Sequence, residues 1–289
     1  MFEIKKLNNK EIIDYSILLN QNKNSIKQQN SHEYIYFASL LFGKKAGIIK
    51  AFKNNKDNII TIEYIFVIKK FRKKGLGSIL IQHILDYAKE NSINKINIKY
   101  YRILGKTHEI EYVLKKLKFS KPQMINLSCY SDARVINKKW LIEDKIPKEF
   151  KFFMWKDITL NIKNQIKNHE EKEKWIELML NPLEKIENIE YTNSVGLLYK
   201  NKIAGWIICQ RLSEDVILYR NLYVLQKFRS LARGIQLLNH SIKLQSKTNI
   251  KHGLWVVAGN NILMKNFVKR RMAKDCIYIK EEMGSWVLV

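Results

Sequence analysis

Two glycines separated by one residue carry the clearest chemical signal in this chain of 289 residues. They lie in the run Arg72-Lys73-Lys74-Gly75-Leu76-Gly77-Ser78, after an apolar, β-prone segment (ITIEYIFV) and before a segment with helical periodicity. Glycine lets the backbone turn tightly and leaves its N–H groups uncovered by a Cβ. At a helix start those N–H groups and the helix dipole favour an anion. The run therefore reads as a pyrophosphate cradle, with Arg72, Lys73 and Lys74 adding positive potential. It fits neither G-x-x-x-x-G-K-[ST] nor G-x-G-x-x-G, because Ser78, Ile79 and Leu80 follow the second glycine. Nucleophilic catalysis has no visible machinery: no Cys-His or Ser-His arrangement stands out. Cys129, Cys209 and Cys276 include no C-x-x-C pair, so neither a disulfide framework nor a cysteine-built zinc site is expected. His83 and His240 read as solvated helix residues, and no H-x-x-x-H or H-x-H spacing supports a metal.

The elements that must hold this turn occur twice. VIKKFRKKGLGSILIQH (67–83) and VLQKFRSLARGIQLLNH (224–240) align without a gap at a shift of 157, with seven of seventeen positions identical. Each block follows a strand-like run and opens a helix; in the first, Leu80, Ile81, Ile84, Leu85 and Ala88 form an apolar stripe. A further strand follows each helix (INKINIKYY; HGLWVVA), and then a second helical stretch. Upstream, each copy has a strand pair around a short turn, GKK near 43–45 and YKNK near 199–202, with Gly47 and Gly205 matching after it. Two mixed α/β units are expected, 1–140 and 147–289, with Lys138–Lys148 as the linker.

Hydrophobic residues make up 46% of the chain and charged residues 27%, a composition for packed cores and not for a disordered chain. No apolar run spans a bilayer and the N-terminus has no signal core, so a soluble cytoplasmic protein without a membrane partner is expected. The formal charge of +25 divides as +15 over residues 1–150 and +10 beyond. An excess so dispersed, and mostly lysine, reads first as solvated faces and second as a nucleic-acid surface.

The segment V-x-x-x-F-R-K-K-G-L-G-S-x-L-I resembles the acyl-CoA-binding motif, Q/R-x-x-G-x-G/A, of the GNAT N-acetyltransferase superfamily. Arg72, Gly75 and Gly77 stand at its defining positions. The second copy reads Arg229-Ser230-Leu231-Ala232-Arg233-Gly234, with alanine for the first glycine, so the whole chain resembles a tandem GNAT architecture. The resemblance implies acetyl-CoA as cosubstrate, with Phe66 and Val67 on the pantetheine arm and Lys73, Lys74, Gly75, Leu76, Gly77 and Ser78 at the pyrophosphate. It implies direct transfer to an amine acceptor, small or part of a larger molecule, with no metal and with the protein a monomer or homodimer. It also marks Glu63 as the base, a position that reads equally as a solvent-facing strand residue; Arg220 is its counterpart and cannot accept a proton. The motif N-x-x-A-x-x-x-Y-x-x-x-G-F, which supplies the general acid in many relatives, is broken in both copies. Leu114 and Phe267 occupy the tyrosine position, and Tyr112 lies about 200° around the helix, where an ordinary packed tyrosine is expected. Two rivals follow from these departures. One is a catalytically silent protein binding nucleic acid through its basic surface. The other is a transferase using aminoacyl-tRNA, against which the kept glycine turn argues.

Overall fold

The chain folds as a mixed α/β structure in the computed structural model, which describes residues 2–20, 33–132, 135, 146–173, 180–184 and 186–289. Strand β1 (Glu3–Lys6) and a short 3-10 helix (Glu11–Tyr15) precede β2 (Tyr34–Leu41), β3 (Lys44–Asn54) and β4 (Ile59–Val67). Helix α1 (Leu76–Glu90), β5 (Lys95–Ile103) and α2 (Glu109–Lys116) follow. After β6 (Gln123–Asp132) and β7 (Phe150–Met154), helix α3 (Leu160–Glu173) leads to β8 (Val195–Tyr199), β9 (Lys202–Ser213) and β10 (Val216–Val224). The chain ends with the short α4 (Gln226–Arg229), α5 (Arg233–Gln245), β11 (His252–Ala258), α6 (Ile262–Phe267) and β12 (Tyr278–Leu288).

Two compact units result, and they are not the two sequence repeats. One comprises Met1–Ile125 with Glu281–Val289, the other Asn126–Lys280. In the first, the strand order is β1-β2-β3-β4-β5-β12; in the second it is β6-β11-β10-β9-β8-β7. The division expected at 140 and 147 follows the duplication, whereas contacts follow the last strand of each copy. Strand β6 pairs with β11 along its length, from Asn126↔Ala258 to Asp132↔His252. From Glu281 onward, β12 is bound to the first unit through Glu281 to Arg102 and Ser285 to Ser120. Most of the expected linker, 138–145, lies outside the described residues.

Within the first unit, α1 is a crossover between the parallel strands β4 and β5. Its stripe of Leu76, Leu80, Ile81, Ile84, Leu85 and Ala88 is buried against Ile49, Ala51, Ile60 and Ile62. Side chains alternate across a strand, so Ile48 takes the opposite face, where Leu7, Ile12, Tyr15 and Leu19 cover it. The β2–β3 turn is formed by Phe42 and Gly43, one residue before the expected GKK, and the β8–β9 turn by Lys200 and Asn201. All four residues have positive φ, as two-residue hairpin turns require.

Gly47 and Gly205 hold equivalent, crowded places. A Cβ on Gly47 would lie 2.8 Å from the Phe66 carbonyl oxygen, and one on Gly205 would lie 2.6 Å from that of Tyr223. Neither carbonyl can move without disturbing its ladder. Gly47→Ala and Gly205→Ala should each lower stability by about 1–3 kcal/mol, measured as a drop in the urea midpoint at unchanged slope. An unchanged midpoint would show that the strands part freely here.

Candidate active site

A single extra residue opens the first unit's sheet. Along β3 and β4 the register runs Ala51↔Ile62 and then Lys50↔Tyr64, so Glu63 has no partner and forms a β-bulge. The bulge sits one residue past the last parallel pair of β4 and β5, Ile62↔Ile98. Beyond it the two strands separate, and the backbone of Ile65, Phe66 and Val67 is left facing a cleft of about 800 Å³. The second unit repeats the irregularity. Tyr219 pairs with Cys209 and Asn221 with Ile208, which skips Arg220, while β10 and β11 pair only as far as Tyr219↔Trp255.

The glycine turn forms one wall of the first unit's cleft. Lys73 and Gly75 have φ of 61° and 79°, and Gly75 caps α1 in the left-handed conformation. The Nε of Arg72 donates to the Val67 carbonyl at 2.9 Å, tying the turn to the end of β4, and its guanidinium lies 5.9 Å from the Phe66 ring centre. Arg72, Lys73, Gly75, Leu76, Gly77 and Ser78 line the cleft. Lys74 is exposed and does not, while the Leu76 side chain is buried in the core, leaving that residue only its backbone to offer. Among the described residues, none supplies an acceptor to the amides of 73–78. Gly77 is helical, and a Cβ built on it would meet nothing within 4 Å. Neither backbone strain nor packing within the protein requires glycine there.

The facing wall comes from α2 and the loop before it: Thr107, His108, Glu109, Ile110, Tyr112 and Val113. His108 caps α2, its Nδ1 accepting from the Ile110 amide at 3.1 Å. In the neutral imidazole the hydrogen is therefore on Nε2. Sequence reading missed this residue, although Glu111 three positions on is the mark of a capping box. Leu114 is buried in the core. Tyr112, expected to be packed, is instead 73% exposed at the cleft rim.

Glu63 does not line this cleft. With Leu19, Lys50 and Tyr64 it lines a separate cavity of about 170 Å³, reached from the sheet face that carries Ile48. Its Oε2 lies 3.2 Å from the ammonium of Lys50, a buried residue whose Nζ also sits 4.2 Å from the Tyr34 ring centre. Tyr64 donates its hydroxyl to the Leu18 carbonyl at 2.9 Å. Burial, aided by the nearby Tyr34 and Glu63, pushes the Tyr36 phenol up to about 12, so it stays protonated at neutral pH. His83 and His240 are packed against rings rather than simply solvated. His83 is 5.8 Å from Phe37, and His240 stacks 4.2 Å from Phe152.

In the second unit the turn keeps its shape without its chemistry. Ala232 is held at φ 58°, and Arg229 Nε reaches the Val224 carbonyl at 2.9 Å, as Arg72 reaches Val67. Arg233 takes the place of Leu76; it is buried, with its guanidinium 4.5 Å from the Phe150 ring centre. Cys129 and Cys276, distant in sequence, are free thiols, and the neighbouring Cys276 together with burial pushes the Cys129 thiol up. Among the described residues, no group of three or more potential ligands could hold a metal, and no helix is long and apolar enough to cross a membrane.

Residues 5–105 match the model of the acetyltransferase (GNAT) family. No curated protein matches the chain. Two solved structures are similar over the full length. A tandem GNAT protein from the clavulanic acid biosynthesis pathway is 10% identical, with 100% of this chain and 98% of that one covered and a TM-score of 0.57. A GCN5-related N-acetyltransferase from Sphaerobacter thermophilus is 10% identical, with 99% and 95% covered and a TM-score of 0.58. Residues 5–105 thus carry the match to the GNAT acetyltransferase family, and the chain as a whole has the tandem GNAT fold.

Proposed function

We propose that the first unit binds acetyl-CoA and transfers its acetyl group to an amine. The observation that carries this reading is Gly77. A helical glycine with open space where its Cβ would stand reserves that space for a partner outside the protein, and the uncovered amides of 73–78 around it suit a pyrophosphate. The separated backbone of Ile65–Val67 offers N–H and C=O groups to an amide-bearing arm, much as a neighbouring strand would. Bound there, acetyl-CoA would supply an activated thioester. Glu63, projected by the bulge on the other face of the sheet, would take the proton of the incoming amine, directly or through water. His108 lines the cleft and would offer its Nε2–H there. With leucine at 114, proton supply to the departing sulfur rests on such a donor or on water.

The second unit lacks two of these features at once: Ala232 replaces Gly75 and Arg220 replaces Glu63. Calorimetric titration should therefore give one acetyl-CoA per chain with micromolar affinity, roughly −7 to −8 kcal/mol. Two sites of similar affinity would overturn this asymmetry, and no binding would overturn the function.

A further inference from the structure

The ion pair of Lys50 and Glu63 is not required by the fold. In the second unit the same bulge forms at Arg220, and Ile208 stands opposite Asn221 as Lys50 stands opposite Tyr64. Ile208 is fully buried and Arg220 is exposed, its Nη1 near Gln210. One scaffold thus tolerates an apolar residue at this strand position and a charged one. Lys50 is buried while Glu63 is exposed, and burying a charged lysine where an apolar side chain would serve costs stability unless the charge is paired. Keeping Lys50 and Glu63 together on the wall of a small cavity points to use.

We propose that the acceptor of the first unit is a small α-amino acid, its amine bound at Glu63 and its carboxylate at Lys50. This rests on the acetyl-transfer reading above. The cavity of about 170 Å³ has a carboxylate and an ammonium 3.2 Å apart on its wall. An α-amino acid carries the same two charges in reverse, one carbon apart, so a single molecule satisfies both sides of the pair. Tyr34 and Tyr64 beside the pair suit the rest of a small molecule. The volume is below the roughly 300–1,000 Å³ of sites for drug-sized ligands and close to the ~150 Å³ that holds one benzene. In the reaction the amine gives a proton to Glu63, its nitrogen forms a bond to the thioester carbonyl carbon, and the carbon–sulfur bond breaks. CoA leaves as thiolate and takes the second proton, which the nitrogen sheds as the amide forms; the products are an N-acetyl amino acid and CoA.

The test compares each of a panel of small L-amino acids with its own primary carboxamide, following CoA release. The carboxamide has the more easily deprotonated amine, so without recognition of the carboxylate it should react faster. We expect the free acid to have at least a tenfold higher kcat/KM. Lys50→Ile, which copies the sister unit, should erase that preference through KM, and Lys50→Arg should keep it. Calorimetric binding of the amino acid in the presence of CoA should fall in the same order. Carboxamides or simple amines used as well as the acids, or a preference unmoved by Lys50→Ile, would overturn the proposal while leaving acetyl transfer standing. Should Lys50→Ile not fold, the acid and carboxamide comparison on the unaltered protein decides alone. Failure of acetyl-CoA itself to bind would instead remove the reading beneath it.

Discussion

Gly77→Glu should lower the proposed acetyl-CoA affinity at least a hundredfold, or about 2.7 kcal/mol. The protein itself should not resist the change. No atom lies within 4 Å of the Cβ position, and an acidic residue in the first turn of a helix suits its dipole. The new side chain fills the space in front of the 73–78 amides and sets a negative charge against phosphate. Thermal unfolding without ligand should therefore be unchanged or slightly raised, while calorimetric heat on titration disappears. Gly234→Glu in the second unit is the control. Its Cβ would have only a Val224 methyl for company, at 3.8 Å, and binding should be unaffected. Equal binding by Gly77→Glu and the unaltered protein would place the cofactor elsewhere.

The second large effect is on turnover. Glu63→Gln should lower kcat at least tenfold, within the roughly 10²–10⁴ range of one acid–base contact, and leave acetyl-CoA affinity nearly unchanged. The carboxylate and the glycine turn line different cavities, so Glu63→Gln leaves the turn untouched. The bulge itself should survive, since Arg220 forms the same bulge without a carboxylate. Glu63→Gln also removes the countercharge of a buried lysine, which costs stability independently of any catalytic role. Adding Lys50→Ile separates the two: the double variant should regain stability and remain inactive. Tyr112→Phe should turn over normally, because that side chain is mostly in solvent. Normal turnover in Glu63→Gln with loss in Tyr112→Phe would reverse the assignment of base and of helix face.

What the sequence shows is what local patterning determines. The duplicated blocks at 67–83 and 224–240, the apolar stripe of α1 and the glycine turn all read directly from spacing, because each depends on residues within two helical turns of one another. The pair at the proposed acceptor site does not. Lys50 and Glu63 meet across a ladder, and that Glu63 is a bulge residue is a property of register between two strands, not of either alone. A lysine within a strand reads as solvent-facing, yet Lys50 is buried. His108 had a local signal, the Glu three residues later, but histidine is an uncommon cap and the imidazole's orientation depends on the Ile110 amide. The exchange of final strands has no local signal: β6 and β12 have the composition of their own repeats and are placed by distant partners.

That exchange has a consequence for how the protein is made. The segment that finishes the first unit is synthesised after the whole of the second. Met283 belongs to the core beneath α1, and Glu281 reaches Arg102, which also holds Glu111 of α2. At about 5–20 residues per second, on the order of ten seconds separate the synthesis of Ile125 from that of Glu281. Through that interval β5 waits with an open edge, the condition that invites pairing with another chain. Nascent first units are thus exposed to misassembly until Glu281–Val289 emerges, and a chain cut just before Glu281 would have a second unit that is whole and a first unit that is not.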